Sequence, residues 1–461
     1  MRITFLNPPG RRLYLREYYC SQISKAAYYP QPVDFIMLSA RLREGNELFL
    51  LDAIKDRLAP EECLKKLKNF NPDVVIFLSG VVSWQEDAEF LRRLKEKIKA
   101  KIVGIGDIFL EEGRQIIEKN SAIDALLMDF CSPDITYYLK NEFEKITHMH
   151  YRSNAGIVTK VPDGAEAPVF EIPIPRHDLF INRGYTYPFV RNKGYATVLT
   201  DYGCPYKCSF CVMGALGYKY RLLENVFAEL DYLRQYGIKE ILFMDQSFGV
   251  LRQRNIALYQ AMIERKYNFG WVCYSRVDLI DYATLELMKK SGCHTIMFGV
   301  ETASNELLKK YNKGYTREQV ESAFRMCRKL KVRTVGTFIL GLPEDTLESC
   351  YETIEFAKRL NCDFASFNFA FPRPKTGLRK KMAENKLLAP CDFTPDQSGQ
   401  DMHIKTLALS SKELAKIRKQ ALLQFYLRPG YLIRQLFVTQ TLDEACVKFK
   451  NFISMFYRNQ K

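Results

Sequence analysis

Thr200-Asp-Tyr-Gly-Cys204-Pro-Tyr-Lys-Cys208-Ser-Phe-Cys211 stands directly after a strand-like run at 195–200 and opens a sustained alternation of strand-like and helix-like segments. Further strands are expected near 240–245, 269–275, 295–300, 333–340 and 363–370. Each precedes a helical pattern, such as Thr316 to Leu330 or Thr346 to Leu360. Six consecutive βα units predict a partial (β/α)6 barrel of the TIM type, with its site at the carboxyl ends of the strands. The three cysteines, spaced C-x-x-x-C-x-x-C, lie in the loop after the first of those strands. Thiolates this close can hold the irons of an iron–sulfur cluster from one short loop, and Gly203 and Pro205 let the backbone bend around it. Three ligands on a four-iron cluster leave one iron open, by the logic that leaves catalytic zinc an open position. A structural zinc site wants four ligands, and no other Cys or His lies within ten residues of the triplet.

Working outward, the stretch 1–145 carries a second α/β pattern. Apolar runs at 2–6, 47–51, 73–78, 101–105 and 125–128 read as buried strands of a parallel sheet. Between them, Glu61 to Phe70 and Gln85 to Lys99 read as helices; the second places Phe90, Leu91, Leu94 and Ile98 on one face. Five βα units in a row predict a doubly wound sheet of the Rossmann or flavodoxin-like kind, with any ligand at the strand carboxyl ends. The turns there are Asn7-Pro8-Pro9-Gly10, Ser79-Gly80 and Gly104-Ile105-Gly106-Asp107. From 146 to 193 the rhythm breaks, and Pro162, Pro168, Pro173, Pro175 and Pro188 mark a linker. The barrel then spans 194–400, and 401–461 reads as a helical, basic extension.

The chain's 461 residues point to about three units. Its 47% apolar and 26% charged content excludes a disordered or collagen-like chain. No run approaches the ~18 apolar residues of a membrane span. Met1 leads straight into the strand-like Arg2 to Asn7 without a signal peptide, so a soluble, cytoplasmic protein is expected. Thirteen cysteines in such a chain read as reduced thiols. The net charge of +15 favours anionic partners. Part of it sits in the tail, where 411–461 holds ten Lys/Arg against three Asp/Glu, a balance of +7. Leu414, Ile417, Leu422, Phe425 and Tyr426 fall on one helical face there. That pattern suits a helix packed on the barrel or one lying peripherally on a membrane surface.

The cysteine triplet, with Phe210 before the last Cys, resembles that of the radical S-adenosylmethionine (SAM) enzymes, and the resemblance runs from 195 to about 380. In that family the three cysteines, here Cys204, Cys208 and Cys211, hold a [4Fe–4S] cluster whose open iron takes SAM, and the family's reaction yields a 5′-deoxyadenosyl radical. The resemblance extends to the strand ends. Met244-Asp245-Gln246-Ser247 stands where the family places polar groups facing the SAM amino group. Trp271-Val-Cys-Tyr-Ser-Arg276-Val-Asp278 resembles a segment whose Arg faces the SAM carboxylate or ribose. Phe298-Gly-Val-Glu301 is similar to one with a SAM-facing Glu, and Ile339-Leu-Gly341-Leu-Pro-Glu344 resembles the adenine-side motif. Phe371-Pro-Arg-Pro-Lys-Thr-Gly377 resembles a P-x-P-G-T loop, with Lys375 where glycine is usual.

The first domain resembles the cobalamin-binding domain of one radical SAM subfamily, many of whose members are methyltransferases. The resemblance implies cobalamin near Asn7, Pro8, Ser79, Gly80, Gly104 and Gly106. No histidine occurs before His148, so the cobalt would lack a histidine ligand. Asp107 puts a carboxylate near the expected position of the nucleotide-tail phosphate, where it would repel the phosphate or bond the tail amides. The resemblance therefore implies a cobalamin-dependent methylation of an unactivated carbon. The alternative is a radical SAM cyclase, C–C coupling or oxidative enzyme without methyl transfer. Phe425-Tyr-Leu-Arg-Pro429 resembles the C-terminal region of members acting on lipids, hopanoids or chlorophyll precursors. The expected substrate is thus hydrophobic, lipid-like or tetrapyrrole-like, and the expected reductant a flavodoxin or ferredoxin. A nucleic acid is not expected, because Cys20, Cys63 and Cys131 lie too far apart in sequence to suggest the second cluster of the tRNA-methylthiolating enzymes.

Overall fold

The computed structural model describes residues 1–24, 28–161, 168–388 and 404–438; the boundary expected at 400/401 and the tail beyond 438 lie outside them. The described chain divides into two units, one built from 1–24, 29–186 and 219–229, the other from 187–218 and the residues after 229 together with Tyr28.

The first unit is organised on a sheet whose strands are β1 (Arg2–Asn7), β2 (Glu47–Asp52), β3 (Val74–Leu78), β4 (Lys101–Ile105), β5 (Ala125–Leu127), β6 (Met149–Ser153) and β7 (Gly156–Lys160), in the order β2-β1-β3-β4-β5-β6-β7. The first five pair in parallel. Val74 to Leu78 is buried throughout, as a strand covered on both faces by helices must be. The order 2-1-3-4-5 makes this a doubly wound, flavodoxin-like sheet with its switch point between β1 and β3. One expectation needs correction. The segment read as linker from 146 is at first a hairpin, since β6 runs antiparallel to β5, and β7 to β6. Its outer strand exposes Gly156, Thr159 and Lys160, the polar dressing of a sheet edge.

The second unit is a parallel sheet of β8 (Ala196–Val198), β9 (Glu240–Phe243), β10 (Gly270–Ser275), β11 (Cys293–Glu301), β12 (Arg333–Leu340) and β13 (Phe364–Phe369), neighbours in chain order. In chain order the helices are α1 (Val33–Arg41), α2 (Pro60–Phe70), α3 (Trp84–Lys97), α4 (Phe109–Lys119), α5 (Asp134–Lys140), α6 (Leu223–Gln235), α7 (Arg252–Glu264), α8 (Tyr282–Lys290), α9 (Asn305–Lys310), α10 (Arg317–Lys329), α11 (Leu347–Leu360) and α12 (Gly377–Glu384), of which α6 to α11 fall between these strands. Several start on side-chain caps, with Thr316 and Gln319 forming a reciprocal box at α10 and Thr346 and Ser349 one at α11. The two faces of the wall differ. Phe338 and Phe367 stack at 5.2 Å, and Phe367 meets Phe425 of α13 (Ser411–Tyr426) on the helical side. The alternate residues Thr337, Ile339, Ser366 and Asn368 therefore line the inner face, where they remain half-buried. Helix α13 covers the last strand. Its Tyr426 hydroxyl accepts from the Ala365 N–H and donates to the Ala365 carbonyl, and Arg418 donates to the Phe367 carbonyl. The apolar face expected of this helix is buried on the barrel, so it is not presented to a membrane surface. No helix among the described residues is long and apolar enough to cross a membrane.

Candidate functional site

The cysteine loop leaves β8 at its carboxyl end and is clamped from several sides. Asp245, just past β9, accepts hydrogen bonds from the Thr200 N–H (2.6 Å), the Asp201 N–H (3.1 Å) and the Thr200 hydroxyl. Asp201 in turn accepts from Arg254 (2.9 Å) and from the Tyr218 hydroxyl (2.9 Å). Burial and the neighbouring Asp201 carboxylate push the Asp245 carboxyl up. Gly203 has φ +72°, and a Cβ there would lie 2.0 Å from the Gly217 carbonyl oxygen, so only glycine can start the loop. The Cys204 N–H donates to that same carbonyl. Farther along, the Ser209 N–H donates to the Tyr311 carbonyl, and the Leu378 N–H donates to the Ser209 carbonyl.

Cations gather around the loop. Arg276, following β10, brings Nη1 to 3.8 Å from the Cys208 Sγ, forks onto Asp278 at 3.0 and 2.9 Å, and donates to the Lys313 carbonyl at 2.6 Å. Its guanidinium lies 3.6 Å from the centroid of the Tyr206 ring. Lys313, buried, pairs with Glu301 at 2.5 Å. Burial alone would lower the Lys313 ammonium; the Glu301 carboxylate overrides it and holds the group above its ordinary value. Burial raises the Cys208 thiol, while Lys313 and Arg276 pull it down. Glu301 sits where the β11–β12 register shifts, at φ +70°. That is a bulge aiming a charged side chain beside the site. Ser247 places its hydroxyl 3.4 Å from the Cys204 Sγ.

The geometry thus joins Cys208, Arg276 and Glu301 through Lys313, and sets Cys204 beside the Gln246-Ser247 turn. Ile339 is on the inner face. Two of the expected SAM contacts also have partners within the chain. Asp245 engages the cysteine loop through both oxygens, and a Cβ on Gly341, at φ +86°, would lie 3.1 Å from the side chain of Leu414 of α13. The Gly341 N–H and that of Leu342 donate to Asp345. Glu344 is held at about 2, against its burial, by Lys381, Tyr311 and Lys310. Lys313 carried no signal in the sequence except its place before Gly314, and Ser247 none beyond its strand-end position.

In the first unit the expected cofactor residues meet the chain's own side chains. Asn7 and Pro8 both accept from Arg16, and Ser79 donates to Asp87. Gly80 lies under Ser21: a Cβ on Gly80 would come within 2.2 Å of the Ser21 Cβ. A Cβ on Gly106 would meet the Ser79 carbonyl oxygen at 1.8 Å. Gly104 answers to sheet packing instead, because a Cβ there would press on Phe77 and Leu126. The glycine cradle at these strand ends is filled by protein, so it does not fit a nucleotide tail in this arrangement.

Residues 198–357 match the Radical SAM superfamily profile. The chain carries a radical SAM domain. Such a domain works with a [4Fe–4S] cluster and SAM, and the donor set fits the cluster. Its three thiols share one clamped loop beside two cations. A protein of Pyrococcus horikoshii described as an uncharacterized methyltransferase is 29% identical over 417 residues, 88% of this chain and 90% of that protein. The anaerobic magnesium-protoporphyrin IX monomethyl ester cyclase of Rubrivivax gelatinosus is 24% identical over 402 residues, covering 83% of this chain and 70% of that one. The solved radical S-adenosylmethionine methyltransferase TsrM from Kitasatospora setae, with cobalamin and a [4Fe-4S] cluster bound, shares the fold at a TM-score of 0.65. The match has 20% identity and covers 83% of this chain and 75% of that one. The cobalamin-dependent radical enzyme OxsB, with aqua-cobalamin and SAM bound, does so at 0.67, with 16% identity, over 99% of this chain and 72% of that one.

Proposed function

We propose that the chain is a radical SAM methylase in which Cys204, Cys208 and Cys211 hold the [4Fe–4S] cluster and a corrinoid serves the methyl transfer. The observation that carries the first part is the clamped cysteine loop with Arg276 at 3.8 Å from Cys208. When bound, the cluster supplies the electron that cleaves SAM. The chain's own residues position the reactants. Arg276 and Lys313 offset thiolate charge, and Gln246, Arg276 and Glu301 offer an amide, a cation and an anion to the zwitterionic end of SAM. Tyr187, whose hydroxyl lies 2.6 Å from that of Tyr274, and Met297 floor the inner face. A half-polar wall of Thr337, Ser366 and Asn368 rises beside them.

Methylation is supported by the Pyrococcus relative and by the fold shared with the two cobalamin-bound enzymes over both units. The Rubrivivax cyclase supports a second reading, ring closure without methyl transfer, and with it a hydrophobic, tetrapyrrole-like substrate. A flavodoxin or ferredoxin is the matching reductant. The test is anaerobic reconstitution followed by incubation with SAM and dithionite. Wild-type protein is expected to bind about four irons per chain and to form 5′-deoxyadenosine. Alanine at Cys204, Cys208 or Cys211 is expected to abolish that product. Its formation by the triple variant would overturn the assignment.

A further inference from the structure

The carboxyl ends of a doubly wound sheet bind ligands at the switch point, here between Asn7–Gly10 after β1 and Ser79–Gly80 after β3. In this chain the gap is already bridged from within. Arg16, whose side chain is fully buried, donates through Nη1 to Asn7 Oδ1 (2.6 Å) and to the Pro8 carbonyl (2.9 Å). Its Nε donates to Ser83 (2.8 Å), and its Nη2 meets Asp87 at 2.6 Å. The second oxygen of Asp87 accepts from the Ser79 and Ser83 hydroxyls, both at 2.7 Å. Beside it, Asp107 takes the Ser21 N–H and hydroxyl on one oxygen, at 2.8 Å each, and the Val81 N–H on the other at 3.0 Å.

The segment between these latches is held hard. Tyr18 and Tyr19 both have left-handed backbones, at φ +45° and +54°, yet are buried and packed against Phe130. Two consecutive bulky residues keep such a conformation only where the surroundings over-determine it. Residues 10–24 are therefore a fixture of the fold. A nucleotide tail entering here would have to expel Arg16, leaving Asp87 buried without its cation, and would set its phosphate beside Asp107.

We infer that this unit holds its corrinoid by the ring and its amides alone, with the tail crevice occupied by Arg16 and Ser21, so that a corrinoid lacking the nucleotide tail binds as tightly as cobalamin. The inference rests on the corrinoid reading above. Its test is titration of the full-length, anaerobically purified protein with diaquacobinamide and with hydroxocobalamin, by equilibrium dialysis and visible absorption. Dissociation constants within threefold of one another, or lower for cobinamide, are expected. A tenfold or greater preference for cobalamin would overturn the inference while leaving the corrinoid reading intact. Uptake of neither would remove the corrinoid reading and this inference with it. Hydrogen exchange on wild-type protein supplies an independent arm. Amides within 10–24 are expected to stay protected with either corrinoid, and their exposure on cobalamin binding would show that the tail displaces the segment, overturning the inference.

Discussion

Glu301 combines a left-handed backbone with a buried ion pair, and each has a cost of known size. A non-glycine residue at φ +70° gives up about 1–2 kcal/mol, and removing one partner of a buried pair typically costs ~3–5 kcal/mol because the other charge is stranded. Lys313→Met is therefore expected to destabilise the protein more than the double variant Lys313→Met/Glu301→Gln, which leaves no stranded charge. Chemical denaturation of the three proteins checks this. A double variant no more stable than Lys313→Met would mean the pair is not coupled. Gly203 is constrained more strictly. Gly203→Ala would place its Cβ against the Gly217 carbonyl at a left-handed φ. Iron content after reconstitution is expected to fall sharply in that variant; full iron content would show that the loop adapts.

At the scale of elements, α13 shows how an expected pattern becomes a structural role. Leu414, Ile417, Leu422, Phe425 and Tyr426 are legible as one face in the sequence, and that face closes the edge of β13 through the Tyr426 hydroxyl and Arg418. Tyr426→Phe strips the buried Ala365 carbonyl and N–H of this partner and is expected to cost about 1–3 kcal/mol, read as a lower denaturation midpoint. An unchanged midpoint would mean that packing alone holds the helix. The strands of both sheets are legible because parallel strands covered on two faces are continuous apolar runs, as in Val74–Leu78. The β6–β7 hairpin is not, because an edge hairpin is half polar and its Asn154-Ala-Gly156 turn looks like linker composition. Nor are Arg16, Asp87 and Lys313, since a charged residue is read as exposed until a distant partner is known. The partners of Arg16 and Asp87 lie up to 71 residues apart in the chain. The cluster cysteines escape this limit because their spacing is local. Gly341 shows the converse: a glycine in a recognisable motif also seats Leu414, a contact that the motif does not reveal.

Over the whole molecule, buried carboxyl groups set how stability responds to pH. Asp34, 1% exposed, accepts the Tyr18 N–H; burial pushes it up to about 7. Asp52, 2% exposed, is pushed by burial to about 6, although the Lys55 N–H and the Tyr185 hydroxyl donate to it. In the unfolded chain both titrate near ~3.9. Between about pH 4 and pH 7 the folded protein therefore keeps protons that the unfolded chain has released, and linkage makes stability fall as pH rises through that window. The loss is complete once pH passes the folded values. Thermal unfolding of the wild type is accordingly expected at a lower midpoint at pH 8 than at pH 5.5. Asp34→Asn, which keeps an oxygen for the Tyr18 N–H but cannot ionise, is expected to flatten that dependence. A wild-type midpoint that rises toward pH 8 would show that these two carboxyl groups are charged at little cost in the folded state, so that burial does not govern their titration. The same measurement bears on the segment 10–24, because Asp34 anchors its backbone through the Tyr18 N–H. Ionisation makes Asp34 the stronger acceptor, so that anchor tightens as pH rises even while burial of the charge lowers global stability.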